Sequence, residues 1–317
     1  MIHKAPEHHS HLFRMKKSSL VQLVVLTIAL AVIVPQFKQF STSWSLLTEL
    51  DLLWVLVACL GMVGTIIFAT TVYLILIPAP LPFRRTAVIQ MSTYFTNRLL
   101  PSGLGGIGFN ALYLVKQAKL SRTDSAVYAT ANNLIGFIAF SICIWASTFI
   151  ADSKIESDVP IKKILLGVAL VALVIGLISL LIKSVQKRII DFSGHLFGVI
   201  LTIIKHPKRL AFAIFSSMGI TASYALVLWA STKSVGISLS IVDIFIAFVA
   251  GNAALTISPT PGGIGAVEAA ITAVIVSAGV TPSLALASVV LYRIVSYWLP
   301  ILPGYVAFRI ATRRQFV

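Results

Sequence analysis

Three ionisable residues stand inside apolar stretches of this 317-residue chain: Arg98, Glu268 and Arg293. A charged side chain at membrane depth is costly, so each is a candidate for a functional role or for a structural pair. Glu268 and Arg293 have opposite charge, and two readings stay open for them. They form an ion pair that ties one segment to the last apolar run, or they take part in substrate binding. Arg98 has no obvious acidic partner in its own half of the chain. Beside a helix N-terminus, an arginine suits an anion; snorkelling to the interface is its alternative.

Two glycine-rich turns accompany these charges. Gly105-Gly106-Ile107-Gly108 recurs as Gly262-Gly263-Ile264-Gly265, 157 residues later. Pro101 precedes the first copy, and Pro259 and Pro261 the second. Proline ends an incoming helix by removing an N–H and crowding the preceding turn. Glycine permits positive φ and close backbone approach. The outgoing helix then begins with unpaired N–H groups and a positive dipole end, which suits a phosphate or carboxylate. Close packing through small residues is the plainer reading. Recurrence at half the chain length favours a substrate path built on Gly105, Gly106, Gly108, Pro259, Gly262, Gly263 and Gly265. Asn97, Asn110, Asn132, Asn133 and Asn252 read as interhelical hydrogen-bonding groups.

These residues need elements to hold them. Hydrophobic residues make up 58% of the chain, charged residues 11%, and mean hydropathy is +0.96. Soluble domains carry about 25% charged residues. Apolar runs of membrane-spanning length recur throughout, so the expected class is an all-α polytopic membrane protein. Six full spans are expected at 19–35, 50–77, 125–150, 164–182, 210–230 and 284–309. Two helical hairpins are expected between them. The first joins 86–101 to a short run ending near 115; the second joins 241–259 to 262–279. Arms this short read as re-entrant, although the longer second pair leaves room for full spans. Residues 189–204 read as an amphipathic interfacial helix.

The basic residues supply orientation. The N-terminal tail, the 78–85 turn, the 116–122 segment, the 183–209 connection and the C-terminus are basic, whereas the 151–163 loop is the most acidic. By the positive-inside rule both termini are cytoplasmic. Each half, 1–160 and 161–317, then reads span, span, hairpin, span, with opposite orientation: an inverted-topology repeat. A ten-span bundle without symmetry is the alternative.

The formal net charge of +15 falls in short connections, where it suits anionic lipid headgroups; no nucleic-acid module is visible. Cys59 and Cys143 read as packing residues. His3, His8, His9 and His11 read as a solvated tail rather than a metal site. The basic start and its apolar run imitate a signal peptide but read as a retained first helix. There is no phosphate-binding G-x-x-x-x-G-K-[ST] and no H-E-x-x-H, so neither ATP hydrolysis nor a cofactor is expected.

The sequence Pro259-Thr-Pro-Gly-Gly-Ile-Gly-Ala-Val-Glu, followed by Tyr292-Arg293 and Tyr297-Trp298-Leu-Pro, resembles the flippase-like membrane domain of the lysylphosphatidylglycerol synthase family. The first half departs from that pattern. Gly106 stands where the family has a glutamate, and Asn132-Asn133 lie near its acidic–arginine pair. The resemblance implies a stand-alone membrane domain without the aminoacyl-transferase domain, in the inner (cytoplasmic) membrane. It implies a lipid translocase acting on an anionic phospholipid or a lipid-linked sugar, without catalytic residues. The alternatives are a membrane-embedded transferase, with Glu268 as its one credible base, or an anchor for a glycosyltransferase or lipid-modifying enzyme. The sequence leaves the oligomeric state open.

Overall fold

Apolar length and polar punctuation cut the chain into helices. A computed structural model describes residues 50–99, 104–150, 183–258 and 260–317. The spans expected at 19–35 and 164–182, the acidic loop and the histidine-rich tail lie outside these residues. In chain order the helices are α1 (Leu52–Leu76), α2 (Phe83–Leu99), α3 (Leu104–Gln117), α4 (Arg122–Ile150), α5 (Lys183–Ile204), α6 (Pro207–Ser234), α7 (Ile241–Ile257), α8 (Ala266–Ser277), α9 (Pro282–Arg293) and α10 (Ile301–Arg313). A single 3-10 turn, Pro261–Gly263, precedes α8, and a π turn, Ile294–Trp298, joins α9 to α10. No strand occurs among the described residues.

Among the described residues four segments are long and apolar enough to cross a membrane: Leu52–Leu76, Arg122–Ala146, Pro207–Ser234 and Pro282–Arg313. α1 shows why. Asp51 caps it by accepting from the Leu53 N–H at 2.9 Å, and it ends at Leu76, with the extended Ile77 standing directly before Pro78. Its 25 residues span about 37 Å. Leu53, Leu56, Leu60, Val63 and Ile67 form an exposed stripe at helical spacing, while Ala58, Gly61, Met62 and Thr65 are buried. An uninterrupted exposed apolar stripe of this length is a lipid-facing surface. Phe137, Ile138 and Trp145 on α4 and Phe212 and Phe215 on α6 are exposed in the same manner.

α1 and α6 pack against each other and run antiparallel. The Asp51 N–H donates to Ser234 O at 3.0 Å, so the start of α1 meets the end of α6. Further along, Gly61 lies against Val227, Gly64 against Ser223, and Gly219 against Phe68. Glycine at these crossings brings the helix axes close.

α2 and α3 form one hairpin. Arg85 near the start of α2 donates to Gln117 Oε1 at the end of α3 at 2.9 Å, so the hairpin begins and ends at the same end of the bundle. α7 and α8 form the second, with Gly251 against Ile271 and Gly263 against Leu255. The four arms have 17, 14, 17 and 12 residues. At about 1.5 Å per residue all fall short of a hydrocarbon core about 30 Å thick.

Elements starting at 52, 83, 104 and 122 are followed in the same order by elements starting at 207, 241, 266 and 282. Several expected segments are found with longer ends, whereas those expected at 50–77, 241–259 and 262–279 are shorter, at Leu52–Leu76, Ile241–Ile257 and Ala266–Ser277. α4 starts at Arg122 rather than 125, α6 extends to Ser234 rather than 230, and the last span runs on to Arg313. Polar and basic residues continue these helices past the apolar core, because an α-helix needs no apolar side chains to satisfy its backbone. The helix expected at 189–204 begins at Lys183 and packs against α4 and α6, leaving Ile190, Phe197, Leu201 and Ile204 exposed.

Candidate functional site

The second glycine tip is a folded knot of backbone. Gly262, Gly263 and Gly265 have φ of 67°, 66° and 89°, a region that disfavours any residue with a Cβ. Gly265 caps α8. Glu268, three residues on, reaches back so that its Oε2 accepts from the Gly265 N–H at 2.7 Å, half of a capping box. Its other oxygen, Oε1, accepts from Arg293 Nε, also at 2.7 Å. Arg293 Nη2 donates to the Gly262 carbonyl at 2.8 Å, and the guanidinium carbon stands 4.4 Å from the centre of the Tyr297 ring. Thr260 Oγ1 donates to Ile264 O at 3.0 Å. Arg293 is 7% exposed.

Each partner has a reason to be where it is. Arg293 is the last residue of α9, so it stands where the α-ladder gives way to the π turn. Tyr297 follows one turn later, and its ring lies so close to Gly262 that a Cβ there would collide with it. The Glu268–Arg293 pair therefore ties the second hairpin to the last span, as one of the two sequence readings expects. Pro259 lies outside the described residues.

The first tip has the same four letters and a different backbone. α3 starts at Leu104, ahead of the glycines, and none of Gly105, Gly106 and Gly108 has positive φ. The expectation of a glycine turn from which the helix then emerges is corrected here: these glycines occupy the first turns of the helix itself. Their use is proximity. A Cβ on Gly105 would fall on the Thr96 carbonyl, and one on Gly106 would stand 2.5 Å from Asn97 Oδ1. Gly108 faces open space. Asn97 Oδ1 accepts from the Gly106 N–H at 2.6 Å, Asn110 Nδ2 donates to Gly106 O at 2.9 Å, and Gln90 Nε2 donates to Asn110 Oδ1 at 2.8 Å. Arg98 belongs to α2 by its backbone; its side chain is outside the described residues.

Both tips thus have one N–H already satisfied by a side chain, an amide at the first and a carboxylate at the second. An anion approaching the start of α8 would meet Glu268.

Beside the first tip lies a cavity of about 140 Å³ between α1, α2 and α6. Its polar lining is Thr65, Gln90, Thr93, Tyr94, Asn97 and Tyr224. Thr65 stands midway along α1. Its hydroxyl donates to Met62 O at 2.6 Å and pairs with the Tyr94 hydroxyl. Among the described residues the lining carries no charge. The sequence reading named Asn97 and Asn110 as interhelical hydrogen-bonding groups, and both bond across the first hairpin. Gln90, Thr93 and Thr65 escaped it. The available signal was the polar run Thr86, Gln90, Ser92, Thr93, Thr96 and Asn97 along one helix packed among apolar neighbours.

A family model described as the lysylphosphatidylglycerol synthase TM region matches residues 19–304. The chain belongs to that family. No curated protein matches the chain. The matched region contains both glycine tips, the Glu268–Arg293 pair and the cavity. Membership in the lysylphosphatidylglycerol synthase TM family makes this a multi-pass membrane protein associated with lipid handling.

Proposed function

We propose that this protein is a lipid translocase that carries a headgroup across the inner (cytoplasmic) membrane along a polar path between its two halves. The observation that carries the reading is the cavity between α1, α2 and α6. It puts hydroxyls and amides of α2 beside Thr65 of α1 and Tyr224 of α6, two helices whose outer faces are apolar. Neutral polar groups at membrane depth bond between helices or line a wet path, and here some of their capacity faces a cavity. The two short-armed hairpins support it, because interrupted helices are tolerated at membrane depth where they line a cavity or are packed in protein.

The antiparallel run of α1 and α6, and the shared order of elements in residues 52–150 and 207–313, support an inverted repeat of halves 1–160 and 161–317. In that reading α2–α3 and α7–α8 are re-entrant from opposite faces. The Glu268–Arg293 pair holds the second tip rigid while the first, tied by neutral amides, presents the cavity.

Reconstitution tests the proposal. Vesicles containing the purified protein and trace fluorescent lipids, exposed to an impermeant quencher, should lose signal from the inner leaflet faster than protein-free vesicles. Lipids with sugar, phosphate and cationic headgroups should be compared. Equal rates with and without protein for all of them would sink the reading. Co-purification of a glycosyltransferase alongside such a failure would favour the anchor role.

A further inference from the structure

We infer that the cavity between α1, α2 and α6 is a binding site for a neutral, polyhydroxylated headgroup, such as a sugar, rather than for a phosphate or an ammonium group. The inference rests on the translocase reading of the same cavity and specifies what that cavity receives. Its lining residues carry four hydroxyl groups, on Thr65, Thr93, Tyr94 and Tyr224, and two carboxamides, on Gln90 and Asn97. A phosphate would find no cation among these residues, and an ammonium no carboxylate. Either charge would be desolvated without a partner, which is costly.

The lining's existing bonds leave a specific remainder. Gln90 is 6% exposed; its Nε2 is committed to Asn110, and its Oε1 has no hydrogen bond among the described residues. Asn97 uses Oδ1 for the Gly106 N–H, which leaves Nδ2 with two donors. Thr93 Oγ1 donates to Gln90 O at 2.6 Å and keeps its acceptor capacity. One face of α2, at Gln90, Thr93 and Asn97, therefore offers acceptors and donors side by side. A hydroxyl both donates and accepts, so adjacent hydroxyls on one ring satisfy both kinds of group without bringing in charge. The cavity volume of about 140 Å³ is room for several waters, which would hold the same positions when no headgroup is bound. Apolar ring faces of the sugar fit against Ile66, Ala69 and Ile220 on the remaining wall.

Binding and transport should be measured separately on the full chain. For binding, the protein in lipid nanodiscs is offered equal amounts of monoglucosyl-diacylglycerol, phosphatidic acid and a trimethylammonium diacyl lipid with the same acyl chains. Retention of each is then read by native mass spectrometry. The glucosyl lipid should be retained preferentially. Gln90→Leu and Thr93→Val should each cut its retention by about 3- to 10-fold, the effect of losing one or two neutral hydrogen bonds, and leave the other two lipids unchanged. Thr93→Val keeps the side-chain shape, so it serves even where Gln90→Leu fails to fold. Equal retention of the three lipids, preference for a charged one, or an unaltered preference in the variants overturns the inference. Glucosyl-lipid preference without any transport in vesicles would leave the site standing and remove the translocase. Transport indifferent to headgroup and to both variants would do the reverse.

Discussion

Arg293 meets a carboxylate, a backbone carbonyl and an aromatic face at once, each from a different part of the second tip. Removing one member of a buried pair leaves the other without its partner, at a cost of about 3–5 kcal/mol. Arg293→Met and Glu268→Gln should each lower the thermal unfolding temperature in detergent strongly. The double variant should be far less destabilised than the two effects added. Simple additivity would show that the pair is not the fastening. Gly262→Ala should cost about 1–3 kcal/mol from backbone strain alone, and more because of the Tyr297 ring. Adding Tyr297→Leu should recover the steric part and leave the strain. Glu268 and Arg293 were legible in the sequence because charge among apolar residues has few explanations. The conformations of the two Gly-Gly-Ile-Gly copies were not. The difference arises from tertiary partners: Asn97 and Thr96 pressed against the first, and Arg293 and Tyr297 gripping the second.

Helix ends and crossings depend on glycine in unequal ways. Gly304 on α10 lies under α2, where a Cβ would stand 3.0 Å from Met91 O and 3.1 Å from Phe95 N. Phe95 in turn stacks edge-on with Tyr305 and tilts against Phe308, so α10 and the first hairpin share one apolar contact. Gly304→Val should therefore separate these elements and destabilise the protein. Gly108→Ala should be neutral or stabilising by up to about 1 kcal/mol, because alanine favours helix and nothing stands in its way. Gly105→Ala, three residues earlier, should be disruptive. Melting temperatures of the three variants check this order, and a disruptive Gly108→Ala would contradict it. Composition foretells the existence of these helices well, since apolar length is a strong signal. Their ends are poorly foretold, because Arg122, Lys233 and Arg313 extend helices into water at no backbone cost.

Among the described residues, Arg85 and the basic C-terminal turn lie at one end of the bundle, and Lys233 lies at the other. Arg85 bonds Gln117 and lies 5.3 Å from the Phe316 ring, which brings the 78–85 turn, the end of α3 and the C-terminus together. The opposite end joins Asp51 to Ser234. Orientation follows if the basic end is cytoplasmic. In a background lacking Cys59 and Cys143, the Lys154→Cys variant should react with an impermeant thiol reagent on intact cells. Lys116→Cys and Arg314→Cys should react only after permeabilisation. Labelling of Lys116→Cys and Lys154→Cys from the same side would dismantle the inverted arrangement. The all-helical membrane class was legible because lipid accepts few alternatives to helix; the cavity was not, since it forms only where three helices meet.

The π turn at Ile294–Trp298 has a consequence for the history of the chain. There the Leu299 N–H reaches back five residues to Ile294 O, at 2.8 Å. Such a turn accommodates one surplus residue while the helix on either side keeps its facing. Elsewhere in a helix, gaining or losing a residue swings everything beyond it by about 100°. A one-residue deletion within 294–299 should restore the ordinary ladder and leave Arg293 aimed at Glu268 and Gly304 seated on α2, which the thermal stability of such a variant checks. Single-residue length differences among descendants of this sequence should therefore collect at that turn, and spare the rest of the last span.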